Sequence, residues 1–191
     1  MIANPILFTT GFILFCLFTS TIASLQHIDA QKETEWSDYV SKKHGLSIQY
    51  PSNFTLVEGK ASKYDPDQNL LINSSNFFSF RVEPLENPQS MTLEEYSKSD
   101  MDNVITNDDR PDMYRILIDG PIPIKVDGEN AQKYTISDIN HATDKSEIVQ
   151  NVIYTIHDGS LYRLLFTAET EVADAVEGME NQMLNSIKWI D

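Results

Sequence analysis

Apolar and polar positions alternate most clearly in residues 147–190. In the run 147–157, Ile148, Val152, Tyr154 and Ile156 fall at even spacings, the period of one strand face. In the run 161–168, Tyr162, Leu164, Phe166 and Ala168 do the same. Between the runs stands Asp158-Gly159, a pair suited to a type I′ turn because both central residues need positive φ. The pattern predicts a β-hairpin. After it the spacing changes to three and four, and Val172, Val176, Met179, Met183 and Ile187 make one stripe of a helix. A hairpin and a helix with matching apolar faces form the nucleus of a two-layer core.

The upstream pattern is mostly extended. Strands are expected at 36–40, 46–50, 54–57, 70–72 and 77–82, with Pro51 ending the second. Polar loops are expected at 61–69 and 83–90. Thr92 and Glu95 have the spacing of a capping box, in which the Thr hydroxyl meets the N3 amide while the Glu carboxylate reaches back. They open a helix predicted over 93–106, with a ragged apolar stripe of Leu93, Tyr96, Met101, Val104 and Ile105. Two strands follow at 113–118 and 122–126. Asp127-Gly128 then turns the chain into a strand at 131–139, and a polar loop spans 140–146. The late connections are short, so the sheet there is antiparallel.

The N-terminus reads differently. Residues 6–23 are apolar and uncharged. They fit a signal peptide ending at Thr21-Ile22-Ala23, or an uncleaved membrane anchor. No Lys or Arg precedes the run, and Lys32, Lys42 and Lys43 follow it, which weighs against an outward-facing anchor. The expected organisation is a leader or anchor with linker over 1–31 and a single domain over 32–191, its folded part beginning near Trp36. The expected location is extracytoplasmic, either secreted or held at the outer face of the cell membrane. The single cysteine, Cys16, excludes an intramolecular disulfide, and Phe15 before it is too large for a lipidation signal. Asn53-Phe54-Thr55 and Asn73-Ser74-Ser75 are glycosylation acceptors if the domain reaches a glycosylating compartment.

Charge narrows the partners. The formal net charge of the 191-residue chain is −15, and all but one of its 29 acidic residues lie beyond the leader. Such a surface repels phosphate backbones, which argues against nucleic acid. It suits divalent cations or a basic protein surface.

Two regions together resemble the PsbP family, whose founding members are extrinsic proteins of photosystem II. One is Tyr39 with Gly45-Leu46-Ser47-Ile48-Gln49-Tyr50-Pro51-Ser52-Asn53-Phe54. The other is Leu161-Tyr162-Arg163-Leu164-Leu165-Phe166-Thr167-Ala168 with the helix ending Met183-Leu184-Asn185-Ser186-Ile187. Phe54 stands where the family usually has Trp. The resemblance implies an α+β fold, an α/β/α sandwich around a central antiparallel sheet. A Ran-binding nuclear-import factor shares that fold, so fold alone does not assign function. The resemblance also implies a non-enzymatic binding or assembly factor acting on a protein or membrane complex. No calcium-site residues of the family can be placed on this chain.

Candidate chemistry is sparse. Asp65, Asp67 and Asn69 begin like a calcium loop, but Leu70 and Asn76 occupy positions that need Gly and Glu. This leaves at most weak calcium binding and no other cofactor. A membrane-tethered ligand or calcium-binding protein is the alternative reading. Glu94 and Glu95, with Asp108 and Asp109, flank the central helix and could meet a basic partner. Asp138, His141 and Asp144 lie three apart in a predicted loop, but three ligands without a fourth favour a polar turn over zinc. His157-Asp158-Gly159-Ser160 holds triad residue types too close together for triad geometry. No nucleophile elbow, phosphate loop, dinucleotide fingerprint or zinc-protease motif is present. The chain is therefore expected not to be an enzyme.

Overall fold

Both Asp-Gly pairs form the turns that their sequence demands. Asp127 and Gly128 have φ of 48° and 86°, and Asp158 and Gly159 have 47° and 74°. They join the longest strands of the computed structural model, which describes residues 34–59, 70–74, 77–86, 90–106 and 110–190. The elements in chain order are β1 (Trp36–Ser41), β2 (Leu46–Pro51), β3 (Thr55–Glu58), β4 (Leu70–Ser74), β5 (Phe78–Leu85) and α1 (Leu93–Thr106). There follow β6 (Met113–Val126), β7 (Glu129–Asn140), β8 (Lys145–His157), β9 (Ser160–Glu169), α2 (Thr170–Ser186) and β10 (Lys188–Trp189). Thr34–Asp191 make one unit.

Among the described residues, seven strands form the main sheet in the order β3-β4-β5-β9-β8-β7-β6, antiparallel throughout. The other three form a small sheet, β1-β2-β10. On one face of the main sheet, Phe78, Phe80, Ile153, Leu164 and Phe166 pack against Leu46 and Ile48 of the small sheet and Val176 and Met183 of α2. On the other face, Tyr134, Ile136, Val152 and Tyr154 pack against Met101 of α1. The result is an α+β sandwich with a helix on each side of a central antiparallel sheet.

The capping box forms as its spacing predicts. The Glu95 amide donates to Thr92 Oγ1 at 3.2 Å, and the Thr92 amide donates to Glu95 Oε2 at 3.0 Å.

Three expectations need correction. The apolar faces read from the closing hairpin do not coincide. Ile153 pairs with Leu164 and Val152 with Leu165, so Val152 and Tyr154 face α1 while Leu164 and Phe166 face α2. Both faces of this hairpin are apolar because a helix covers each. The two strands expected at 113–118 and 122–126 are one strand, β6, with its register shifted between Leu117 and Ile122. Gly120 lies in that stretch at φ +97°, where an added Cβ would fall 2.5 Å from the Lys133 carbonyl. Finally, β5 runs on through Leu85, where a loop was expected, because Glu83 and Leu85 pair with Arg163 and Leu161 of β9. β10 had no periodic signal in two residues.

Candidate functional site

The anticipated site residues are scattered. Asp65, Asp67, Asn69, Asp108 and Asp109 lie outside the described residues, as does the leader. Glu94 is exposed on α1. Glu95 is exposed too, but its carboxylate is committed to the helix cap, which holds it below the ordinary Glu range through the Thr92 amide and hydroxyl. Asn53 is exposed in the turn between β2 and β3, whereas Asn73 is half-buried on β4 between two paired strands.

Asp138, His141 and Asp144 do not converge on a cation. Asp138 is buried and its carboxylate is filled: both terminal nitrogens of Arg110 donate to it at 2.9 and 2.8 Å, and Arg115 Nε at 2.7 Å. Burial works to raise its pKa, but the two guanidinium groups outweigh that and hold it below the ordinary Asp range. His141 lies against the Tyr114 ring, and Asp144 accepts the Tyr114 hydroxyl at 2.6 Å. His157 stacks on Trp189 with centroids 4.5 Å apart. Among the described residues no group of three or more His, Cys, Asp or Glu side chains has metal-site geometry.

One cluster of catalytic residue types escaped the sequence reading. Ser41 Oγ lies 2.7 Å from His44 Nδ1, and the same nitrogen lies 3.1 Å from Glu58 Oε1. Ser41 also donates to Glu58, and Tyr39 donates to it at 2.8 Å. A Ser–His–Glu relay needs the nucleophile and the orienting carboxylate on opposite imidazole nitrogens. Here both oxygens share one nitrogen, and Ser41 is completely buried. The cluster instead fastens the β1–β2 hairpin to β3 of the main sheet. Burial opposes ionisation of Glu58, but hydrogen bonds from Ser41, Tyr39 and His44 prevail and lower its pKa. Burial, with Glu58 beside it, pushes the Tyr39 phenol up to about 12.

A second network lies under α1. Tyr134 and Tyr154 both donate to Asp100 Oδ2 at 2.6 Å. Beside them buried Glu83 is held by Arg163 and by Arg81 at 3.2 Å. Burial foremost, and the Asp100 carboxylate, raise both phenols well above the ordinary Tyr value, so they remain donors. Every polar group in this network serves another, which marks it as structural.

The α2 side holds a buried acid. Glu180 accepts from both Asn151 Nδ2 contacts at 2.8 and 3.0 Å, with Lys133 Nζ at 3.8 Å. Burial lifts its pKa above the ordinary Glu range against these partners. The folded state therefore holds this proton where the unfolded chain has lost it. Its contribution is complete below the ordinary Glu value and is lost as pH rises through the raised value. Glu180→Gln is accordingly expected to stabilise the domain by about 1 kcal/mol at mildly alkaline pH. That gain should vanish in acid, which thermal melts across pH would read directly.

A cleft of about 670 Å³ opens at one end of the sandwich, between the ends of β4 and β5, the β7–β8 turn and the start of α2. Its lining is acidic, with Glu147, Glu169 and Glu171 against Lys145 beside Asn73, and among the described residues these carboxylates form no metal-type group. More distinctive are the outer helix faces. α2 contains no Lys or Arg and exposes Glu171, Asp174 and Glu177; α1 exposes Glu94 and Asp102 against one cation, Lys98. Both sides of the sandwich are thus acidic. Among the described residues no helix is long and apolar enough to cross a membrane.

No known family profile matches the chain, and no curated protein matches its sequence. Solved structures do. The solution structure of cyanobacterial PsbP from Synechocystis superposes with a TM-score of 0.64 at 15% identity, covering 88% of this chain and 98% of that one. The yeast Ran-binding protein Mog1p gives 0.52 at 11%, covering 83% and 97%. LpqN of Mycobacterium tuberculosis, involved in cell envelope biogenesis, gives 0.51 at 10%, covering 85% and 94%. The chain has a PsbP-like fold.

Proposed function

We propose that this protein is an exported, non-catalytic binding or assembly module that docks on a basic surface of a protein or membrane complex. The observation that carries the reading is the acidic outer face of both helices, which would steer a positively charged partner and repel anionic lipid and nucleic acid. Two of the similar structures are named for Ran binding and for cell envelope biogenesis; these names agree with such a role without assigning it. The apolar leader at 6–23 supports export, either as a cleaved signal or as an anchor on the outer face.

Charge reversal tests it. Lys at Glu94, Asp102, Glu171, Asp174 and Glu177 should weaken capture of the native partner by about tenfold or more and flatten its salt dependence. An unchanged set of partners would overturn the reading. Calcium should bind no tighter than the millimolar range of loosely built sites, by calorimetry on the full chain. Micromolar binding with a large rise in melting temperature would instead support a membrane-tethered calcium-binding protein.

A further inference from the structure

Ile116, Leu117, Ile118 and Ile122 are each at least 40% exposed, and all four sit on β6. Among the described residues β6 is an outermost strand of the main sheet, and none of their strands lies beyond its second row of backbone N–H and C=O groups. Natural edges are usually blunted by charge, proline or a bulge. Here the blunting is partial. Pairing with β7 is regular from Met113 to Leu117 and shifts only beyond it, leaving a short extended edge with apolar side chains. Its one cation, Arg115, is turned onto buried Asp138 at 2.7 Å. Exposed carboxylates, Asp112 and Asp119, stand at its two ends.

We infer that β6 is a docking edge for an extended segment of a partner protein, apolar at its centre and basic at both ends, which adds as a further strand along residues 113–117. This rests on the reading of the chain as a module for a basic protein partner. In strand addition the backbone supplies affinity, and side chains at alternate positions supply selectivity. Ile116 and Leu117, with exposed Ile118 just beyond the regular pairing, offer the apolar contact, while Asp112 and Asp119 select Lys or Arg at the segment's ends. A second copy fits poorly. Antiparallel self-pairing that matches the two apolar runs sets the Asp112 end of one copy against the Asp119 end of the other. It also brings together two chains of formal charge −15.

The test uses the full chain in neutral detergent micelles and a fluorescein-labelled peptide, Lys-Lys-Val-Thr-Ile-Thr-Val-Lys-Lys, followed by fluorescence anisotropy. Saturable binding is expected, weakened about tenfold or more by Ile116→Lys with Ile118→Lys, and abolished when alternate peptide nitrogens are methylated. Both substitutions are on exposed positions, so the melting temperature should hold and show that the variant is folded. Absence of saturable binding, equal binding by the variant, or equal binding of the methylated peptide would each overturn the inference. So would a doubled mass in light scattering that the variant returns to monomer, because a second copy would then occupy the edge. The same variant separates this inference from the broader reading. A native partner that is lost on helix charge reversal but kept by the β6 variant leaves the module standing and removes the docking edge.

Discussion

Phe166→Ala is expected to cost about 4 kcal/mol and to lower the melting temperature by roughly 10 °C. Phe166 is 1% exposed and sits where β5, β9, the small sheet and α2 meet. Its ring lies 4.4 Å from Phe80, its cross-strand partner, and 6.2 Å from Phe78. Truncation removes the transfer free energy of the ring and leaves a void that paired strands cannot close. Phe166→Leu refills most of the volume and should lose less than half as much. Urea melts of the two variants check the ordering. Equal losses would mean that the ring contacts, and not the volume, carry the effect.

Arg163→Met should cost about 3 kcal/mol through a different mechanism. Glu83 is buried and is held mainly by the Arg163 guanidinium from the neighbouring strand, with Arg81 at 3.2 Å as its second partner. Removing Arg163 strands a carboxylate in a low-dielectric layer beside α1, and Arg81 compensates only in part. Adding Glu83→Gln to Arg163→Met should restore much of the loss, because the stranded charge is then gone. A double variant no more stable than Arg163→Met alone would show that packing of the arginine stem, not the charge, is responsible. Neither change touches the exposed face of β6 or the acidic helix surfaces, so partner binding by folded protein should survive both.

The sequence alone was sufficient for most of the element list. Asp127-Gly128 and Asp158-Gly159 are legible because few residue pairs accept two consecutive positive φ values. The start of α1 is legible because Thr92 and Glu95 satisfy each other's orphan amides locally. Cores built from such local signals also carry the PsbP-like resemblance, which the superposition on cyanobacterial PsbP bears out as a fold. The candidate sites were less legible. The spacing of Asp138, His141 and Asp144 favours a polar turn, yet Asp138 is a buried residue of β7 that answers to Arg110 and Arg115.

By itself, then, the amino-acid order determined turns, caps, strand periods and an acidic surface, because each depends on backbone preference or composition within a few residues. Tertiary structure alone decided which side of the sheet each apolar residue faces. The turn register sets Ile153 opposite Leu164, so one hairpin feeds two cores, and no one-strand period reveals that. It also brought Ser41 and His44 to Glu58, 17 and 14 residues away, and Glu83 to Arg163, 80 residues away. Finally, it placed β6 at the rim of the sheet, where an ordinary apolar strand sequence becomes an exposed edge. Burial and pairing are properties of neighbours in space, and only the folded chain supplies those neighbours.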